Sequence, residues 1–149
     1  DPWDDRVARR HAPDPDHPVC RPRAGAALMW SKAPPPSREE SARIELAKTG
    51  PCMACLVRYS QGLMAQRYVV YGCEYNHAKS GNIRRGHFYG YALCQWHHQR
   101  YRREWMTQQQ MVDRWGPPLH WSKKFHEAFG SDDDLIAQQT YINELRAAA

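Results

Sequence analysis

Apolar positions along the chain follow three regimes. Residues 1–36 show no period at all: apolar residues are scattered among Arg, Asp and Pro. From Ser37 a helical period begins. Ser37-Arg38-Glu39-Glu40 has the spacing of a capping box, Ile44 and Leu46-Ala47 supply an apolar side, and Thr49-Gly50-Pro51 predicts the stop through a glycine that tolerates the left-handed region followed by a proline. Arg67-Tyr68-Val69-Val70-Tyr71 is β-branched and aromatic, which predicts a strand running toward Glu74-Tyr75-Asn76-His77, with His87 to Leu93 as the return strand. Between them Lys79 to Gly86 carries two glycines and an asparagine, the chemistry of a wide loop.

A helical segment is expected to follow Leu93, with Cys94 and His97 at i, i+3 on one face of its first turn. Residues 99–110 are polar and basic, with Tyr101, Trp105 and Met106 as the inward contacts, and Gly116-Pro117-Pro118 breaks the chain. Ser122 to Phe129 reads as a short helix ended by Gly130. Ser131-Asp132-Asp133-Asp134 caps a last one through Leu135, Ile136, Tyr141, Ile142 and Leu145. Trp96, Tyr101, Trp105, Trp115 and Trp121 read as core, because so small a domain needs their buried area.

Composition separates the first regime from the rest. Residues 1–36 hold eight of the 11 prolines, which lack a donor and fix φ, so this is read as a flexible arm and 37–149 as the folded domain. Its arginines Arg6, Arg9, Arg10, Arg21 and Arg23 either lie along phosphate or a partner protein, or belong to a linker without contacts; interleaved Asp residues blunt the first reading. With 149 residues there is room for about one domain. No apolar run reaches spanning length, which points to a protein without a membrane role inside the cell. A start at Asp1 instead of Met is expected of a trimmed or partial chain, from which a leader could have been lost.

Charge sharpens the picture. The net +5 is uneven: residues 51–110 hold eight Lys/Arg against two acids, whereas residues 111–149 hold four against six. A basic middle suits a polyanion such as nucleic acid, or is simply a solvated basic surface. Five cysteines is an odd count, which argues against a disulfide scaffold and for metal ligation in a reducing compartment.

Cys52-Met53-Ala54-Cys55 and Cys94-Gln95-Trp96-His97 supply four soft or borderline donors in two pairs, the number and type that structural zinc takes. A knuckle, a hairpin and a helix returning the second pair make a treble-clef arrangement. The expected fold is therefore a small zinc-stabilised α+β core, a two-stranded antiparallel hairpin packed by helices and long loops. Cys73 could displace His97 or Cys55 from the set, and Cys20 is read as free.

A second group of histidines stands apart from this clip. His98 follows the ligand His97, so it lies about 100° round the helix and points away from the zinc. His77 ends the first strand, Asn82 lies in the loop where its amide could hold an imidazole, and His87, His120 and His126 complete the supply of nitrogen donors. Arg84 and Arg85, beside His77, read as phosphate contacts or as an ordinary solvated loop.

Glu74-x-Asn76-His77, the loop Asn82 and Leu93-Cys94-x-x-His97-His98 after Cys52-x-x-Cys55 resemble the HNH, or ββα-metal, nuclease superfamily. Three longer strings are similar to the phage recombination-enhancement (Ref) nuclease family over about residues 50–145: the run from His77 to Gly90, Leu93 to His98, and Lys124 to Asp133. The resemblance implies an HNH core and a DNA endonuclease acting on DNA within RecA nucleoprotein filaments, aided by a basic N-terminal segment. It further implies a place in the cytoplasm of a phage- or prophage-carrying bacterium; a monomer is expected, although nothing in the residues speaks to oligomeric state. By motif, His77 would be the general base, supported by Asn82. His98 would hold a catalytic divalent ion (Mg, Mn or Zn), and His120 would be a further ligand or a transition-state donor. The superfamily's usual Asp or His before the base is Asn76 here, which leaves the second metal ligand open among His87, His120 and His126. Lys79, Arg84, Arg85 and Arg100 would contact DNA. The rival reading is a non-catalytic zinc module that binds DNA or the filament.

Overall fold

The computed structural model describes residues 34–149. The chain divides into the units Asp1–Pro35 and Pro36–Ala149; the readings made for the arm, including its arginines and Cys20, fall outside the described residues. Helix α1 (Arg38–Thr49) starts at the expected capping box, with the Ser37 hydroxyl accepting from the Glu40 N–H and the Glu40 carboxylate accepting from the Ser37 N–H. Its end differs from expectation. Gly50 is extended (φ −98°) and not left-handed. Glycine is needed there for room, since a Cβ would run into the Arg146 guanidinium, which donates to the Leu46 carbonyl.

Pro51 then bridges Tyr71, while the Gly72 and Cys73 N–H groups donate to the Gly50 and Lys48 carbonyls. That pairing explains why the strand expected over 67–71 is absent. Gln66–Tyr68 is a 3-10 turn, and the extended residues after it pair back to the lead-in of Cys52, whose N–H donates to Val70. Helix α2 (Met53–Ser60) follows directly.

Strand β1 (Glu74–His77) pairs antiparallel with β4 (Gly90–Leu93), Glu74 opposite Leu93 and His77 opposite Gly90. The return strand therefore starts later than expected, because Tyr89 turns back to bond Gly86. In place of the wide loop, β2 (Lys79–Ser80) and β3 (Ile83–Arg84) form a tight hairpin across Gly81-Asn82. The left-handed φ of +63° at Gly81 is what makes two residues sufficient.

Four helices complete the domain: α3 (Gln95–Gln99), α4 (Gln108–Trp115), α5 (Ser122–Phe129) and α6 (Asp132–Ala148). Helix α4 opens on a capping box between Thr107 and Gln110, a T-x-x-Q signal that the polar reading of this stretch overlooked. Helix α6 covers the outer edge of β4, where the buried Gln139 side chain accepts from the Ala92 N–H and donates to Asn143. An edge strand is thereby satisfied by a side chain in place of another strand. Arg43 of α1 ties the same region together, donating to the Tyr75 hydroxyl, the Thr140 hydroxyl and the Gly90 carbonyl.

The core gathers around the Cys/His pairs: Met53, Leu93, Trp96, Met111, Trp115, Phe125, Phe129 and Leu135 are buried. Trp121 is half-buried, but Tyr101 and Trp105 are 59% and 75% exposed, so the core reading fails for these two. Tyr141 and Leu145 of α6 are likewise exposed. Both face away from the sheet that Leu135 and Gln139 contact. The result is a small α+β domain with a two-stranded antiparallel pair; no helix among the described residues is long and apolar enough to cross a membrane.

Candidate metal centre and histidine face

Cys52 and Cys94 hold the same local position. Each is the extended residue immediately before a helix, and neither side chain caps that helix. Cys55 and His97 follow three residues on, in the first turn. Two helix starts therefore present a donor pair each, with sulfur at the positive end of the helix, where a thiolate is favoured. The donor atoms of Cys52, Cys55, Cys94 and His97 all lie within 4.8 Å of one another, and all four residues are buried.

The tautomer of His97 is set by its second nitrogen. Nε2 lies 2.8 Å from the Trp115 carbonyl oxygen, which can only accept, so the proton sits on Nε2 and the Nδ1 lone pair faces the three sulfurs. Those sulfurs stand 3.4 Å (Cys52), 3.8 Å (Cys55) and 3.2 Å (Cys94) from Nδ1. A tetrahedral zinc with ordinary Zn–S and Zn–N bonds places sulfur about 3.6 Å from nitrogen. The donor set fits zinc in identity, spacing and second-sphere support.

Electrostatics point the same way. Burial opposes ionisation of Cys52, but hydrogen bonds from Cys55, Cys73 and Cys94 and the charge of His97 bring its thiol well below the ordinary value. Hydrogen bonding to Cys52 and Cys94, with burial, pushes Cys55 up. Burial alone would lower the His97 imidazole; the neighbouring Cys52 and Cys94 sulfurs, by charge and by hydrogen bonding, reverse this and raise it to about 10. Three sulfurs and an imidazole nitrogen packed this closely compete for protons, and a cation would take up the same lone pairs. Cys73 stays outside the four. Its thiol is directed at the Gly50 and Val70 carbonyls, 3.6 Å from each, beside Cys52. The four described cysteines are free thiols.

The remaining histidines fall into separate neighbourhoods. His77 Nε2 meets His87 Nδ1 at 3.2 Å, the rings edge to face. His87 is placed by Tyr75, whose hydroxyl donates to its carbonyl oxygen while accepting from Arg43. Gly90 makes this possible, because a Cβ there would stand 2.5 Å from the Tyr75 ring. Burial, then the Arg84 and His87 charges, hold the His77 pKa below its usual range, so the imidazole is neutral near pH 7. Asn82, expected to support His77, sits at the exposed tip of the β2–β3 hairpin, and the side chain that meets His77 is that of His87.

His98 pairs with Glu74 instead, Nδ1 to Oε2 at 2.7 Å, and Gln99 donates to the same oxygen. Strand alternation sends Glu74 and Asn76 to one face of β1 and Tyr75 and His77 to the other. His126 bonds the Gly130 carbonyl through Nδ1, with Asp132 3.8 Å from Nε2, in the joint between α5 and α6. His120 is exposed and bonds none of the described residues. Among the described residues the Cys/His cluster is the one group of three or more His, Cys, Asp or Glu whose donor atoms converge. The four histidines expected around a second ion (His98, His120, His87 and His126) are thus not brought together.

Of the expected DNA contacts, Lys79 and Arg84 lie directly opposite each other across the exposed hairpin, next to His77. Like charges in that register repel, a cost that an anion between them would remove. Arg85 is occupied: it pairs with Asp133 at 2.6 Å and lies over the Tyr89 ring. Arg100 is exposed and caps α3 in the left-handed region, φ 59°. Glu74, by contrast, gained its role as partner of His98 from tertiary structure, with only its place in the Glu-x-Asn-His string to announce it.

Residues 36–144 match the model of a family described as recombination enhancement, RecA-dependent nuclease. No curated protein and no solved structure matches the chain.

Proposed function

The chain belongs to the recombination-enhancement, RecA-dependent nuclease family, and from that premise we propose that it is a metal-dependent DNA endonuclease of HNH type, hydrolysing phosphodiesters in DNA held by RecA filaments during phage recombination. The carrying observation is the His77–His87 imidazole pair beside the Lys79/Arg84 couple. In the proposed step Lys79 and Arg84 take the scissile phosphate between them. With Nε2–H of His77 donating to His87 Nδ1, the lone pair on His77 Nδ1 accepts a proton from water as its oxygen attacks phosphorus and the bond to the leaving oxygen breaks. A neutral imidazole is the state this task requires, and burial together with Arg84 maintains it.

Cys52, Cys55, Cys94 and His97 would hold a zinc ion, which would tie the two helix starts together in a treble-clef arrangement. A divalent ion, when bound at the reacting phosphate, supplies charge stabilisation.

One observation favours a second reading, a non-catalytic zinc module on DNA or on the filament: the expected second set of histidines does not converge. Incubating intact protein with circular duplex and single-stranded DNA, with and without RecA, under added Mg, Mn or Zn decides between them. Cleavage that His77→Ala abolishes supports the enzyme. Absence of cutting under every condition leaves the binding module.

A further inference from the structure

A chain of rings and guanidiniums crosses the surface where the 3-10 turn, the 100–107 segment and α4 meet. Arg67 lies 4.9 Å from the centre of the Tyr68 ring, and Arg114 lies 4.2 Å from it on the way to Trp115. Arg103 stands 4.9 Å from the Trp115 ring and 5.7 Å from that of Trp105. Tyr68 and Trp115 themselves meet edge to face at 6.2 Å, and the Trp115 indole donates to the Tyr68 carbonyl, which fixes the middle of the series. The far end is open: Trp105 is 75% exposed, immediately before the buried Met106.

Three features mark this as more than surface decoration. An indole so exposed forfeits the burial that makes tryptophan worth having, although its neighbour Met106 finds the core. Arg67, Arg103 and Arg114 have no carboxylate partner among the described residues. The acids nearby are Glu104, which is exposed, and Asp113, which accepts from Gln109. Beside the series run clefts of about 260 and 550 Å³ that share Val70, Arg103 and Trp105, and the larger continues past Tyr101 and Gln95 to Glu74, the partner of His98.

We propose that this arginine–aromatic ladder is a binding site for single-stranded nucleic acid, in which bases stack on Trp105 and along the cleft to Tyr101 while Arg67, Arg103 and Arg114 neutralise the backbone. Every base has a π-face, so such a platform is indifferent to sequence, and it discriminates against duplex, whose bases are stacked on each other already. Arginine serves twice here, through its charge and through its planar face. The inference rests on the nuclease reading only in its purpose: a strand gripped at the ladder leads along the larger cleft toward Glu74, so the site would select unpaired or displaced strands.

The test uses the full chain, with no divalent ion added, so that binding is read apart from cleavage. Anisotropy of a labelled 20-nucleotide oligo-dT and of a mixed-sequence duplex of equal length is followed across a salt series, together with quenching of tryptophan fluorescence. Trp105→Ala should weaken oligo-dT binding about tenfold, with the duplex nearly unaffected. Trp105→Phe should restore most of the loss, and Arg103→Ala should lower the salt slope by about 0.7. Zinc content and thermal melting serve as controls, because Trp105 contributes little to the core. Equal loss for both DNA forms, or wild-type binding by Trp105→Ala and Arg103→Ala, overturns the proposal. So does unchanged oligo-dT binding with lost dependence on RecA, which would assign the ladder to a protein partner. A protein that cuts DNA while Trp105→Ala binds normally loses only this inference; one that binds through Trp105 but never cuts loses only the nuclease reading.

Discussion

The Cys/His clip and the histidine face contain the same kind of side chain and are built in opposite ways. In the clip, four donors arrive as two i, i+3 pairs at the starts of α2 and α3, so local helix geometry aims each pair and only the relative placement of two helices is left to the fold. His77 and His87, from a strand and a turn, pair on one face of β1, while His98, from a helix, meets Glu74 on the other, and each is aimed by a different neighbour: Tyr75 for His87, Glu74 for His98. A buried site of charged donors must be complete, because unpaired charge in the core is costly. An exposed site can remain open, since water and substrate complete it. The clip is therefore closed to solvent, whereas the histidines outside it stay accessible.

The sharpest way to break this contrast is to remove a ligand. Cys94→Ser should abolish zinc binding and, with it, the cooperative thermal transition. Structural zinc contributes on the order of 10–16 kcal/mol, against a net stability of about 5–15 kcal/mol for a domain. Far-UV circular dichroism and metal content check it. A variant that melts like the wild type would reduce the four residues to packed thiols and an imidazole.

A change on the face should do the reverse. His77→Ala is expected to lower cleavage by about 10²–10⁴-fold while leaving zinc content and melting temperature intact. The pH profile carries the same distinction. Because the His77 pKa is depressed below 6.5, first by burial and then by Arg84 and His87, the base form is present throughout the neutral range and cleavage should decline only as pH falls below that value. Stability has the same sign: the unfolded chain binds that proton more tightly, so this residue costs stability as pH drops through 6.5 and nothing above it. An acidic limb centred above 6.5 would contradict both statements.

The contrast also explains which parts were legible from residue order alone. The clip could be read because its information is local: a Cys-x-x-Cys and a Cys-x-x-His each define one turn of helix. The capping boxes at Ser37 and Ser131 were readable for the same reason. What failed depended on partners distant in sequence. Val70 and Tyr71 have strand chemistry yet pair with Cys52 and Pro51, because the segment leading into the Cys/His cluster takes up their main-chain hydrogen bonds. Asn82 gave way to His87 because two residues suffice for the hairpin and carry Asn82 to its tip. Composition places Trp105 in the core, but its neighbour Met106 takes the buried position at this point of the chain and the indole stays at the surface.

A finer probe compares two neighbours within the face. Arg84→Ala should weaken DNA binding several-fold and lower the salt slope by about 0.9, since Arg84 is exposed and opposed only by Lys79. Arg85→Ala should do much less, because its guanidinium is already engaged by Asp133. Removing Arg84 also relieves a repulsion, so the His77 pKa should move up toward 6.5 and carry the acidic limb of cleavage with it. Equal effects from both arginines would mean that the hairpin acts only as diffuse positive charge.

The smallest expected effect tests whether the clip depends on its lead-in. Ser37→Ala removes the Ser37 half of the capping box of a 12-residue helix whose far end, through the Lys48 and Gly50 carbonyls, holds the Cys73 and Gly72 N–H groups beside the cluster. The lost cap costs about 1 kcal/mol, a drop of about 5 °C in melting temperature for a domain of this size. If four ligands on one ion determine where Cys52 sits, the damage should stop at the fraying end of α1, with zinc content and cleavage unchanged. If zinc affinity falls along with the melting temperature, then α1 positions Cys52 and the ion only locks what the helix has placed, which would make the clip as dependent on distant support as the histidine face.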